Sequence, residues 1–301
     1  MKTKDSTAVR VQRTNHTATT SDGWPLGCSV FAPDEPNQSP CPVVLISAAA
    51  AVPQEFYAGY ATWLVENGAQ AVITYDYRGI NRSSGDRSRW PSTTMKDWAR
   101  IDFDHMVSWV DERFPGCELV GQGHSFGGQA LGLSAHSARF TRYATVATMS
   151  GYWRGTREPY SIWIKTQIIG RLLGKIFGEI PKWAGFGVAM PEKVFNEWAS
   201  WVRKPDYFFS DPSLPETSRY AETKTPLLSV RIEDDTWGTE RAVDLLIRHY
   251  TSNALHHAVV VPEPGDEIGH LGYFRRKNEK YWHICGHYLL NGQLPDGVSE
   301  R

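Results

Sequence analysis

The chain has 301 residues, with 32 Lys and Arg against 33 Asp and Glu and a net charge of −1. That balance excludes the basic surplus expected of a nucleic-acid partner, and the length suits one large α/β domain with an insertion or at most two domains. Residues 1–22 are polar and lack the apolar core of an export signal, and no apolar run could span a bilayer, so a cytoplasmic chain is expected.

Val9 to Thr17 and Leu26 to Phe31 read as an antiparallel lead-in around a turn at Ser21-Asp22-Gly23. Strand and helix then alternate, the pattern of a parallel sheet. A strand at 43–46 is followed by a helix at 54–67 closed by Gly68, then by a strand at 71–75. A long helix at 94–114 carries apolar spacing at Ile101, Met106, Val107 and Val110. Next come a strand at 118–122, the pentapeptide Gly123-His124-Ser125-Phe126-Gly127, a helix from Gly128, and a strand at 143–149. From about 151 to 220 the alternation stops. It resumes with a strand at 226–232, a helix at 239–251, a strand at 257–262 and a last helix at 277–290.

Strand, G-x-S-x-G and helix in that order make a nucleophile elbow, a turn sharp enough to hold Ser125 in a strained backbone conformation. Such a serine needs a histidine base, and the histidine needs a carboxylate to set its tautomer. Glu233-Asp234-Asp235 ends one late strand, and His270 follows the next, an order that matches Ser, acid, His. Ser125 is therefore the expected nucleophile, His270 the base and Asp235 the orienting acid, with Asp234 and Glu233 as the adjacent alternatives.

Asp76-Tyr77-Arg78-Gly79, Gly123-His124-Ser125-Phe126-Gly127-Gly128, Glu233-Asp234-Asp235 and Gly269-His270-Leu271-Gly272-Tyr273-Phe274 together resemble the α/β-hydrolase superfamily. The closer likeness is to bacterial hydrolases related to serine aminopeptidases and monoacylglycerol lipases. The resemblance implies a mostly parallel eight-stranded sheet flanked by helices, with a helical cap after the sixth strand. The core would then be 1–150 with 221–301, and the cap 151–220. Relatives carry a glycine three residues before the acid, where this chain has Ile232. The resemblance also implies an oxyanion hole from the Phe126 N–H and an N–H in Ser47-Ala48-Ala49-Ala50-Ala51. Counting back from Phe56 assigns the second donor to Ala49. His124 is expected to pack behind the elbow, Asp76 and Arg78 to hold loops by hydrogen bonds, and Asp102 and Asp104 to be ordinary helix residues.

Five of the twelve tryptophans fall in the interruption, which suggests a lid lined by apolar surface. Trp153 and Trp163 in it, with Trp237 beyond the acid, are the expected substrate-contacting rings. Gly170, Gly174 and Gly178 recur every fourth residue in an otherwise helical pattern, giving either a mobile lid or a tightly packed face. Lys165, Arg171 and Lys175 permit contact with a membrane surface, but frequent glycine and nearby Glu179 disfavour it. Cys28, Cys41, Cys117 and Cys285 make no metal-ligand spacing and are expected to be reduced; no cofactor is implied. The expected activity is hydrolysis of an ester, lactone or thioester of an apolar or aromatic compound. Acyl transfer and C–C bond hydrolysis use the same groups and stay open, as does a non-catalytic ligand-binding role.

Overall fold

The computed structural model describes residues 9–35, 42–251 and 254–300; Cys41 lies outside these. Among the described residues, nine strands form the main sheet: β1 (Val11–Thr19), β2 (Pro25–Pro33), β3 (Val43–Ser47), β4 (Ala71–Tyr75), β5 (Leu119–His124), β6 (Arg142–Val146), β9 (Leu227–Ile232), β10 (Leu255–Val260) and β11 (Ser299–Glu300). A separate ribbon in the insertion pairs β7 (Glu179–Ile180) with β8 (Met190–Pro191). The order across the main sheet is β1-β2-β4-β3-β5-β6-β9-β10-β11. From β4 to β10 all neighbours are parallel, whereas β1, β2 and the two-residue β11 join antiparallel. The eight expected strands are therefore present, with β11 as a short edge addition. Every residue of β3, β4 and β5 is buried. Such strands need helices on both faces, which explains why they read as unbroken apolar runs.

The expected long helix at 94–114 is interrupted by a π-helical stretch at Trp98–Phe103, which leaves Asp102 fully buried. Its carboxylate accepts the Arg78 backbone N–H at 2.8 Å and Arg78 Nε at 2.7 Å, while Arg78 also reaches Asp22 at 2.8 Å. Asp104 accepts hydrogen bonds from the Ser134 hydroxyl and the Ala135 N–H. Both acids are thus tertiary anchors rather than ordinary helix residues, Asp102 fully buried and Asp104 half-buried. Asp76 holds loops as expected: it accepts from the Gln54 N–H at 2.8 Å, Gln54 Nε2 at 2.9 Å and Asn81 Nδ2 at 3.1 Å.

Between β6 and β9 the chain builds a helix over 159–177, the β7–β8 ribbon, a helix at Glu192–Val202 and several short turns. Phe195, Trp201, Tyr207 and Phe208 are buried and form much of this segment's own core. Among the described residues no helix is long and apolar enough to cross a membrane.

Candidate active site

Ser125 sits between β5 and the helix Phe126–Leu133, at φ 51° and ψ −113°. A side chain at Gly127 would put its Cβ 2.0 Å from the Ser47 carbonyl oxygen, and one at Gly123 would lie 2.4 Å from Gly128 Cα. Both partners are backbone, so the turn closes only with glycine at these positions. The left-handed conformation of Ser125 is the local strain expected of a functional turn.

The loop ends after β9 and β10 bring two further groups to this serine. His270, in the short helix Gly269–Gly272, places Nε2 3.1 Å from Ser125 Oγ and Nδ1 2.8 Å from Asp235 Oδ2. Since a carboxylate only accepts, Nδ1 carries the hydrogen and Nε2 is left to accept the serine proton. Asp235 is fully buried. Burial alone would push its carboxyl up, but His270 and the N–H groups of Gly238 and Trp237 hold it below the usual carboxylate range. The Trp237 N–H lies 2.7 Å from Oδ1. Asp234 points elsewhere, accepting from the N–H groups of Ile268 at 2.8 Å and Gly269 at 2.9 Å. Adjacent side chains leave the chain in different directions, so one acid meets the imidazole and the other fastens its loop.

The expected donor at Ala49 is corrected by the structure. Its N–H donates to Tyr57 Oη at 2.9 Å, and an amide has one hydrogen to give. Ala50, next along, lines the pocket beside Ser125, and its N–H has no hydrogen bond among the described residues. The buried aromatic that braces this loop is Tyr57, whereas Phe56 is partly exposed. Phe126 opens the elbow helix, where an N–H has no partner within the helix. Behind the serine, His124 is fully buried and links three segments. Its Nε2 lies 2.8 Å from the His270 carbonyl oxygen and its Nδ1 2.8 Å from Tyr57 Oη. The carbonyl can only accept, so Nε2 carries the hydrogen, Tyr57 donates to Nδ1, and Ala49 donates to Tyr57. Burial, then the field of His270, push the His124 pKa down to about 3.

A cavity of about 260 Å³ opens over Ser125 and His270. Ala49, Ala50, Val52, Phe126, Gln129 and Met149 line it from the core; Phe186, Met190, Val194, Trp198 and Tyr207 line it from the insertion. Trp237 is in the wall, stacked on Trp198 with centroids 5.8 Å apart. Trp153 and Trp163 are not. Trp153 packs on Tyr152 and Tyr160, and Trp163 faces outward, 38 % exposed. Sequence reasoning chose rings by their presence in the insertion, whereas helix rotation decides which reach the cavity. It passed over Trp198, whose place one turn after Val194 and Phe195 was the available signal. Among the described residues, Gln129 contributes the wall's one side-chain amide. Its Nε2 donates to the Met149 carbonyl at 2.7 Å, and its Oε1 is buried without a partner.

The family described as serine aminopeptidase, S33 matches residues 38–232, which include Ser125 and end three residues before Asp235. No curated protein matches. Among solved structures, a soluble variant of monoglyceride lipase from Saccharomyces cerevisiae superposes with a TM-score of 0.63 at 16 % identity, covering 95 % of this chain and 96 % of its own. An esterase from Exiguobacterium antarcticum gives 0.60 at 16 % identity, over 92 % and 99 %. The Pyrococcus furiosus esterase gives 0.56 at 16 % identity, over 92 % and 91 %. With sheet order, elbow and family match in agreement, the chain belongs to the serine aminopeptidase S33 family of α/β hydrolases.

Proposed function

We propose that this hydrolase cleaves a carboxylic ester, lactone or thioester of an apolar or aromatic compound through an acyl-enzyme. The observation that carries the reading is the Ser125–His270–Asp235 relay at the floor of an apolar cavity. Ser125 Oγ attacks the acyl carbonyl as its proton passes to His270 Nε2. The carbonyl oxygen becomes an oxyanion that accepts hydrogen bonds from the N–H groups of Phe126 and Ala50. On collapse, His270 returns the proton to the leaving oxygen or sulfur. Water then repeats the sequence on the acyl-enzyme and releases the acid. Asp235 stays ionised throughout and supports the imidazolium.

Among the described residues, the cavity wall contains no Asp or Glu. A free amino terminus would have no carboxylate to meet its ammonium there, and this favours esters over the aminopeptidase substrates named in the family description. The yeast monoglyceride lipase and the two esterases, ester hydrolases by name, support the same choice.

Ser125→Ala is expected to abolish labelling by a fluorophosphonate probe and to lower turnover of chromogenic esters by several orders of magnitude. A series graded by acyl length should favour apolar acyl groups over acetate. Labelling of the variant at the wild-type rate would remove Ser125 from the mechanism. A wild type that is labelled yet cleaves no ester, but transfers the acyl group to an added alcohol or amine, would reassign the chain to acyl transfer.

A further inference from the structure

The helix over 159–177 turns its small residues inward and its large apolar residues outward. Ile162, Thr166, Gly170 and Gly174 are all buried, with Gly170 against the Phe195 ring and Gly174 against Glu192. On the opposite side Ile164, Ile168, Leu172, Ile176 and Phe177 are 45 %, 50 %, 54 %, 62 % and 54 % exposed. Of the thirteen exposed large hydrophobic residues among those described, nine lie between Tyr160 and Trp183. Isolated exposed apolar residues are ordinary, but a contiguous ridge marks an interaction surface.

The charge on this ridge says what kind. Residues 159–183 contain Lys165, Arg171, Lys175 and Lys182 against Glu179 alone. The Glu179 carboxylate is engaged by Arg87 at 2.6 Å, and among the described residues none of the four cations is ion-paired. A two-fold pairing of copies would set this face against itself and gather those cations at one interface, which opposes self-association. Apolar residues, tryptophan and unpaired cations are instead the composition of a helix seated among lipid headgroups. Phe177 packs edge-on against Trp183, centroids 5.9 Å apart, and the chain then runs directly into Gly185–Gly187 on the pocket wall.

We propose that the outward face of this helix, with Trp183, docks the protein on an anionic lipid surface and brings the pocket-lining loop 185–187 to the lipid. Docking does not depend on the ester reading, because binding is measured without turnover. The test is flotation of the purified full chain with vesicles of phosphatidylcholine alone and with about 30 % phosphatidylglycerol. The wild type should rise with the anionic vesicles, bound at least about tenfold more than to the neutral ones. It should be released near 1 M salt, where the screening length falls to about 3 Å. Ile168→Ser/Leu172→Ser/Ile176→Ser should lower binding about tenfold or more at an unchanged melting temperature and probe labelling, since these side chains lie outside the pocket. Lys165→Gln/Lys175→Gln should weaken binding to anionic vesicles with the apolar ridge intact. The proposal is overturned if the wild type binds neither vesicle or binds both alike. A dimer that the triple serine variant abolishes would also overturn it, and would assign the ridge to a second copy of the chain.

Discussion

Gly238 carries no reacting group, yet the position of the acid depends on it. A Cβ there would lie 2.4 Å from Asp235 Oδ2, the oxygen that holds His270, and 3.1 Å from its Cγ. The carboxylate is also held by the Trp237 N–H, so it cannot swing away without losing one partner or the other. Gly238→Ala should therefore lower kcat on the order of 10²-fold with little change in KM, since misplacing catalytic groups by about 1 Å costs about that much. Kinetics on one good ester, beside a melting curve, would check this. A fall in melting temperature with kcat unchanged would make the glycine structural only. The sequence motif had pointed to a glycine at position 232, before the acid; the required glycine stands after it. Which side must be small is decided by where the carboxylate turns, and the residue string does not show that.

At the scale of an element, the helix over 159–177 shows packing overriding propensity. Each interior glycine costs about 1 kcal/mol relative to alanine, so Gly170→Ala would stabilise an isolated helix. In the fold, the added Cβ would sit 2.1 Å from Phe195 Cζ. Phe195 in turn packs on Phe186 and Trp198, with centroids 4.9 Å and 5.6 Å away, and both of these line the pocket. Overpacking of about 1–3 kcal/mol should outweigh the propensity gain. Gly170→Ala is expected to lower the unfolding free energy and to raise KM for bulky apolar esters more than for small ones. Denaturant titration and the two KM values would check it, and a stabilised variant would show that the Phe195 ring yields freely. Gly170 and Gly174 thus serve close approach, whereas Gly178, at φ 72° with open space around it, ends the helix in the left-handed conformation. The other consequence of that spacing, large side chains turned to solvent, was visible in the sequence only as a periodicity without a direction.

Across the whole molecule, His124 ties the elbow to the histidine loop and, through Tyr57, to the loop after β3. Its pKa is held down at about 3 by burial first and His270 second. An unfolded histidine titrates near 6.5, so between about 6.5 and 3 the unfolded chain binds a proton that the folded chain refuses. This group's contribution to stability is thus complete above about 6.5 and is lost as pH falls through that window, by about 2 kcal/mol at pH 5. His124→Asn should flatten the pH dependence of urea unfolding between pH 7.5 and 5 relative to wild type by about that amount. Parallel wild-type and variant curves would mean that the imidazole is not held neutral.

Much of this protein was determined by local sequence. Turn chemistry is local, so the elbow could be read at Gly123–Gly127, and a buried parallel strand announces itself as an apolar run, so the sheet could be read in chain order. The serine, acid and histidine follow strands that the alternation already located. What only the tertiary structure decided is direction. Asp235 rather than Asp234 meets His270 because of how the turn after β9 leaves the sheet. The Ala49 N–H is taken by a tyrosine eight residues away, leaving Ala50 to face the cavity. Trp198 lines the wall while Trp163 looks outward, since rotation of a helix is set by what packs beneath it, and Trp237 reaches the wall from the loop after β9. Each of these depends on partners distant in sequence, and periodicity carries no information about where those partners stand.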